Sequence, residues 1–166
     1  MSSSIVSMII RTKNLLINFT FASIKWKRIM MNYHTRKWIK PEDLNPNHSL
    51  FGGRLLQWID EEAALYAIIQ LENSRTVTKY ISEINFVSSA KQGDIIEIGI
   101  EAVEFGKTSL TLRCEVRNKM THQKIITIDK LVFVALGEDG NPKPHGKTKI
   151  EYVEDRLYLK NITPEL

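Results

Sequence analysis

The chain reads as an α+β domain in which a long antiparallel sheet curls around a single helix. Three observations carry this reading. Residues 53–71 are apolar nearly all the way round at helical spacing, and four strand patterns rich in β-branched and aromatic residues follow them. Short turn signals separate the last three strands, which makes those strands antiparallel neighbours. At 166 residues, 43% of them hydrophobic and 25% charged, the chain has material for one domain with a sizeable core.

Residues 1–31 mix Ser, Arg, Lys and apolar side chains without an acid. They fit a transit peptide, a membrane-surface helix, or an upstream extension of the reading frame with Met31 as the natural start. Arg11 and Lys13 interrupt the apolar run, so it is too short to span a bilayer, and no stable membrane insertion is expected. We read 1–31 as an N-terminal extension, 32–145 as the domain and 146–166 as a C-terminal tail.

Within the domain, residues 33–39 read as a short strand, and Pro41 and Pro46 bracket a loop. The helix over 53–71 carries Leu55, Leu56, Trp58, Ile59, Leu65, Tyr66, Ile68 and Ile69, a distribution typical of a helix enclosed by other elements. Residues 76–87 form one strand pattern. In 94–103, Ile96, Ile98 and Ile100 share a face; 109–116 alternate; and 124–136 put Ile126, Ile128, Val132 and Val134 on one side. Turn signals lie at Gln92-Gly93-Asp94, at Phe105-Gly106-Lys107 and over 118–122. The tail from Gly137 reads as a loop, and 150–161 as a short charged helix.

The net charge of +4 does not point to nucleic acid. Residues 1–41 carry eight basic side chains and no acid, so the rest of the chain is acidic, at −4. RNA-binding and zinc spacings are absent, and His34, His48, His122 and His145 are too scattered for a ligand set. The single cysteine, Cys114, cannot form an internal disulfide; it alternates with Leu110, Leu112 and Val116 as a core residue in a reducing compartment would.

The most informative stretch is 45–64, NPNHSLFGGRLLQWIDEEAA. Gly52 and Gly53 open the helix, where the first N–H groups have no intrahelical partner and the absence of a Cβ lets a ligand approach. A carbonyl oxygen gaining negative charge can be held there. Asp60 follows two turns later on a face made of Gly53, Leu56, Ala63, Ala64 and Ala67, none of which can pair with it. It is therefore poorly solvated or faces something outside the helix, as functional acids do. Glu61 falls beside Arg54 and Gln57, as a solvated or paired residue, while Glu62 lies near Leu55, Trp58 and Ile69 as a second candidate for burial.

These residues and this architecture resemble the hot-dog fold, specifically the acyl-CoA thioesterases of the bacterial YciA and eukaryotic acyl-CoA hydrolase type. Four pieces match in order across 45–144. They are Leu50-Phe51-Gly52-Gly53 followed by Trp58-Ile59-Asp60-Glu61; Asn85-Phe86-Val87 leading to Gly93-Asp94; Gly106-Lys107-Thr108-Ser109 running into a strand; and Phe133-Val134-Ala135 before Gly140-Asn141-Pro142-Lys143-Pro144. Gly106-Lys107-Thr108-Ser109 alone would suggest a phosphate loop, but the upstream glycine of that motif is missing.

The resemblance implies a curved sheet wrapped around one long central helix, and hydrolysis of acyl-CoA to a free carboxylic acid and CoA in cytoplasmic fatty acid metabolism. It implies Asp60 as general base or nucleophile, the backbone N–H near Gly53 as oxyanion donor, and Ser49 as a polar group contributed by the other subunit. Gly106, Lys107, Thr108 and Ser109 would bind CoA, the alternative being a β-turn with a solvated lysine; charge alone, and not the resemblance, suggests that Lys143, Lys147 and Lys149 meet its phosphates. No metal or redox cofactor and no nucleic acid partner are implied, and the assembly would be a dimer or a hexamer of three dimers. Ser49 and His48 depart from the family, which often has Asn or Asp, and Gly, at those places. Ser49 is alternatively a helix N-cap, and His48 a second catalytic group or a loop residue. The departures also allow a non-catalytic acyl-CoA-binding module, whereas a hot-dog hydratase would need a histidine that only His48 supplies.

Overall fold

The computed structural model describes residues 31–150. The extension up to residue 30 and nearly all of the expected terminal helix lie outside the described residues. The elements run β1 (Tyr33–Trp38), a 3-10 turn (Pro41–Asp43), α1 (Gly52–Leu71), β2 (Thr76–Ile81), β3 (Ile84–Phe86), β4 (Ile95–Phe105), β5 (Ser109–Asn118) and β6 (Lys124–Ala135). The sheet is antiparallel throughout, in the order β1-β4-β5-β6-β2, and β3 pairs with β6 beyond the end of β2. This is the expected arrangement of one helix against a curved sheet. Among the described residues no helix is long and apolar enough to cross a membrane.

Helix α1 turns Leu55, Ile59, Ala63 and Ala67 to the sheet, one per turn, where they are buried with Ile96, Ile98, Leu112, Cys114, Ile126 and Ile128. Alanines at the middle of this stripe let the helix lie close to the strands, and full burial of a side chain such as Ile59 contributes about 1.5–3 kcal/mol. The helix end is fixed as well. Glu72 adopts the left-handed conformation at φ 50°, and the Asn73 side chain donates to the Leu136 carbonyl at 3.1 Å, tying the helix terminus to the end of β6. Cys114 is fully buried, as expected, and burial pushes its thiol up to about 12.

Three expectations need correction. The single strand expected over 76–87 is two, because β6 carries one extra residue at Asp129-Lys130 opposite Arg113. Opposite that bulge the pairing of the edge strand lapses, although the Ser82 N–H still donates to the Lys130 carbonyl at 2.8 Å. The bulge also shifts the phase of β6. Beyond it, Leu131, Phe133 and Ala135 are the fully buried residues, and Val132, expected on the face of Ile126 and Ile128, is only half-buried. Finally, α1 is not enclosed on every side within one protomer: Leu65 is 55% and Ile69 38% exposed.

Candidate active site

The entry to α1 is built by two polar residues. Asp43, buried, accepts from the Lys40 N–H at 3.0 Å and pairs with Arg54 Nε at 3.3 Å, while its own carbonyl receives the Phe51 N–H at 2.9 Å. Asn45 organises the loop before the helix. Its Oδ1 accepts from the Asn47 N–H at 2.9 Å, the Ser49 N–H at 3.3 Å and the Ser49 hydroxyl at 3.2 Å. The helix N-cap is Phe51, with no side-chain cap, so Ser49 is not the N-cap and its hydroxyl is spent on Asn45. His48 is exposed at φ 55°, a conformation that a glycine would adopt without strain. Gly52 sits so close to β3 that a Cβ there would lie 3.2 Å from Phe86 Cζ.

Asp60 lies half-buried on the flank of α1 that faces the edge strand β2. Its partner comes from outside the helix: the Thr78 hydroxyl donates to Oδ1 at 2.8 Å. Glu62 lies on the opposite flank, toward β1, where it accepts from the Thr35 hydroxyl and pairs with Lys37 Nζ at 3.8 Å. Glu61 accepts from Gln57 Nε2 at 2.9 Å on the outer face, as expected. Asp60 is thus the acid of the three that stands beside the sheet edge formed by β2, where Val77, Tyr80 and Ile81 are 44%, 52% and 36% exposed.

The residues singled out in the sequence do not all converge within one protomer. Gly53 and Asp60 share a helix face but stand seven residues apart, about 10 Å along the axis. The hairpin of Gly106, Lys107, Thr108 and Ser109 lies at the far end of α1 from Gly53. There the Thr108 carbonyl receives the Ala135 N–H at 2.9 Å, and Ala135 pairs with Thr76 just past the helix terminus. The Gly106 N–H donates to the Ser109 carbonyl at 2.8 Å, and His145 packs against the turn, its N–H donating to the Lys107 carbonyl at 3.3 Å. In the basic tail, Lys147 pairs with Glu72 at 2.9 Å.

Comparison with known proteins places this geometry. The family model described as the thioesterase superfamily matches residues 47–124. The acyl-CoA thioester hydrolase YciA of Salmonella typhimurium is 29% identical over 63% of this chain and 82% of its own. A solved apo-hexameric acyl-CoA thioesterase is 34% identical at a TM-score of 0.58, covering 66% of this chain and 72% of that one. The chain belongs to the thioesterase superfamily. Within it, a Staphylococcus aureus acyl-CoA hydrolase solved with butyryl-CoA and CoA is 30% identical at a TM-score of 0.61, over 66% of each chain.

Variants of that S. aureus hydrolase in which an Asp, an Asn or a Thr is changed to Ala have also been solved, and there the Asn stands 15 residues before the Asp and the Thr 17 after it. In this thioesterase-superfamily chain Asn45 stands 15 before Asp60, and Thr78 stands 18 after it. Asn45 and Thr78 are the two polar residues that sequence reasoning passed over. The signal for Asn45 was its place in the loop that opens the helix; Thr78 had none, because its tie to Asp60 exists only once β2 folds back along α1.

Proposed function

We propose that the protein hydrolyses acyl-CoA to a carboxylic acid and CoA, with Asp60 as general base or nucleophile and the N–H near Gly53 as oxyanion donor. A thioester is already activated and its thiolate leaves well, so one base and one oxyanion donor suffice, and no metal or redox cofactor is needed. The observation that carries the reading is Asp60, half-buried among small residues and held by Thr78 at an exposed sheet edge.

The same geometry supports a site shared by two subunits. A reacting carbonyl must lie about 3 Å from both its attacking group and its hydrogen-bond donor, which the roughly 10 Å between Gly53 and Asp60 along one helix does not allow. Two-fold pairing of two chains through the apolar edge β2 sets their helices antiparallel, so that Gly53 and Asn45 of one protomer face Asp60 and Thr78 of its partner. It also brings the hairpin of Gly106, Lys107, Thr108 and Ser109, with the exposed Lys107, from the far end of one helix toward the Gly53 end of the other, where it can meet the CoA. Asn45 takes the position first assigned to Ser49, whose role becomes bracing Asn45. We read the assembly as a homo-oligomer, a dimer or three dimers, and the lone buried Cys114 suits a reducing compartment such as the cytoplasm.

Subunit mixing tests the shared site. Asp60→Asn and Asn45→Ala chains, each inactive alone, should recover about a quarter of wild-type thiol release when unfolded together and refolded, because half of the dimers then carry one intact site. No recovery in refolded, mixed oligomers would place the site within one chain.

A further inference from the structure

Past β6 the chain doubles back and returns beside the β4-β5 hairpin. Leu136 bridges to Pro142, the Lys143 N–H donates to the Ala135 carbonyl at 2.8 Å, and the His145 N–H donates to the Lys107 carbonyl at 3.3 Å. The half-buried His145 ring then meets a partner at each nitrogen. Nδ1 accepts from the Lys147 N–H at 3.1 Å, and Nε2 lies 3.2 Å from the Ser109 carbonyl oxygen. Phe105 packs against the same ring at 63°, with centroids 6.4 Å apart. We propose that His145 is a positioning residue for the CoA portion of the substrate, bracing the hairpin of Gly106, Lys107, Thr108 and Ser109 in the shape that meets it; this rests on the acyl-CoA reading above.

The contact at Nδ1 decides the one at Nε2. An N–H donates only to a bare ring nitrogen, so Nδ1 is bare and Nε2 carries the hydrogen of the neutral ring. Nε2 therefore donates to the Ser109 carbonyl, which also receives the Gly106 N–H at 2.8 Å and has two lone pairs to offer. The carbonyls of Lys107, Thr108 and Ser109 are thus each held by a donor from outside the hairpin: the His145 N–H, the Ala135 N–H and the His145 ring. Three successive carbonyls fixed in this way leave the tip little freedom to turn, and the exposed Lys107 extends from a set backbone. Loop tips are ordinarily among the more mobile parts of a fold, and ordering one on binding costs affinity. The brace is itself anchored. Gly146, at φ 72°, makes the turn that returns the Lys147 N–H to the ring, and Lys147 Nζ pairs with Glu72 at 2.9 Å at the end of α1.

The test is calorimetric binding of free CoA, with KM and kcat for acyl-CoA by thiol release, in wild type, Lys107→Ala and three His145 variants whose folding is checked by melting curves. His145→Ala should weaken CoA binding and raise KM roughly threefold to tenfold with kcat near wild type. His145→Gln, whose amide nitrogen can stand in for Nε2, should recover most of the affinity. His145→Asn keeps only an oxygen in place of Nδ1 and should behave like His145→Ala. The Gln and Asn variants keep the comparison alive if His145→Ala does not fold. Unchanged CoA affinity in folded His145→Ala overturns the proposal, and so does a fall in kcat at unchanged KM. Equal losses in His145→Gln and His145→Ala overturn it too, by reducing the ring to packing. If Lys107→Ala loses affinity while His145→Ala does not, the hairpin still meets CoA and only the role of His145 falls. A wild-type protein that binds no CoA refutes the acyl-CoA reading itself.

Discussion

The Thr78 hydroxyl donates to Asp60 Oδ1 at 2.8 Å, joining the acid on the flank of α1 to β2, an edge strand of the sheet. The bond fixes the direction of the carboxylate. It also ties the position of the proposed base to the edge through which two chains would pair.

Removing that hydroxyl should therefore slow the reaction without unfolding the protein. A hydrogen bond to a charged group contributes about 1.5–3 kcal/mol, so Thr78→Ala should lower kcat/KM by roughly tenfold to a hundredfold. Thr78→Ser, which keeps the donor, should retain most of the activity. Steady-state kinetics on both variants decides whether the hydroxyl matters or only the shape of the side chain.

Asn45 offers a sharper separation of structure from chemistry. Its Oδ1 holds the loop through three donors, an acceptor role that aspartate can also fill. Asn45→Asp should therefore melt near the wild-type temperature yet lose most of its activity, because the amide donor is gone and a second negative charge enters the site. Asn45→Ala should lose activity and also about 1–3 kcal/mol of stability. A fully active Asn45→Asp variant would confine Asn45 to bracing the loop.

Lys107 is exposed at the tip of the β4-β5 hairpin, while its carbonyl is held by the His145 N–H. Lys107→Ala should raise KM for acyl-CoA with little change in kcat, and the effect should shrink as salt screens the phosphates. Equal KM values at low salt would remove Lys107 from the CoA contact.

The outer face of the sheet sets the response to acid. Glu97 is almost fully buried, with Arg117 Nε and Nη2 both at 2.6 Å and Lys119 Nζ at 3.0 Å. Burial alone would raise its pKa, but the hydrogen bonds from Lys119 and Arg117 outweigh burial and hold the carboxyl below its ordinary 4.5. A carboxyl whose pKa falls on folding stabilises the native state above that ordinary value, and the contribution is lost as pH drops through the depressed one. Glu97→Gln should thus cost about 1.5–3 kcal/mol at neutral pH, and its melting curve should converge with wild type as the solution is acidified. A stability gap that persists unchanged in acid would contradict this assignment.

The sequence disclosed α1 and the antiparallel pairing of the last three strands, and it singled out Asp60, because helical spacing, β-branched runs and an acid among alanines are local signals. The phase of β6 was not local: one extra residue at Asp129-Lys130 exchanges the inward positions from Val132 to Leu131 and Phe133. Thr78 and Asn45 were hidden for a related reason. A threonine in a strand and an asparagine in a loop are common, and they stand out only through partners that folding supplies, Asp60 across 18 residues for one and Ser49 across a closed loop for the other.

The most direct measurement is thiol release from acyl-CoA by purified Asp60→Asn protein beside wild type, with melting curves taken on both. We predict that Asp60→Asn keeps its fold and its oligomeric state but loses at least about a hundredfold in kcat, the scale of a general base. A folded Asp60→Asn variant that hydrolyses acyl-CoA at near the wild-type rate would contradict the account.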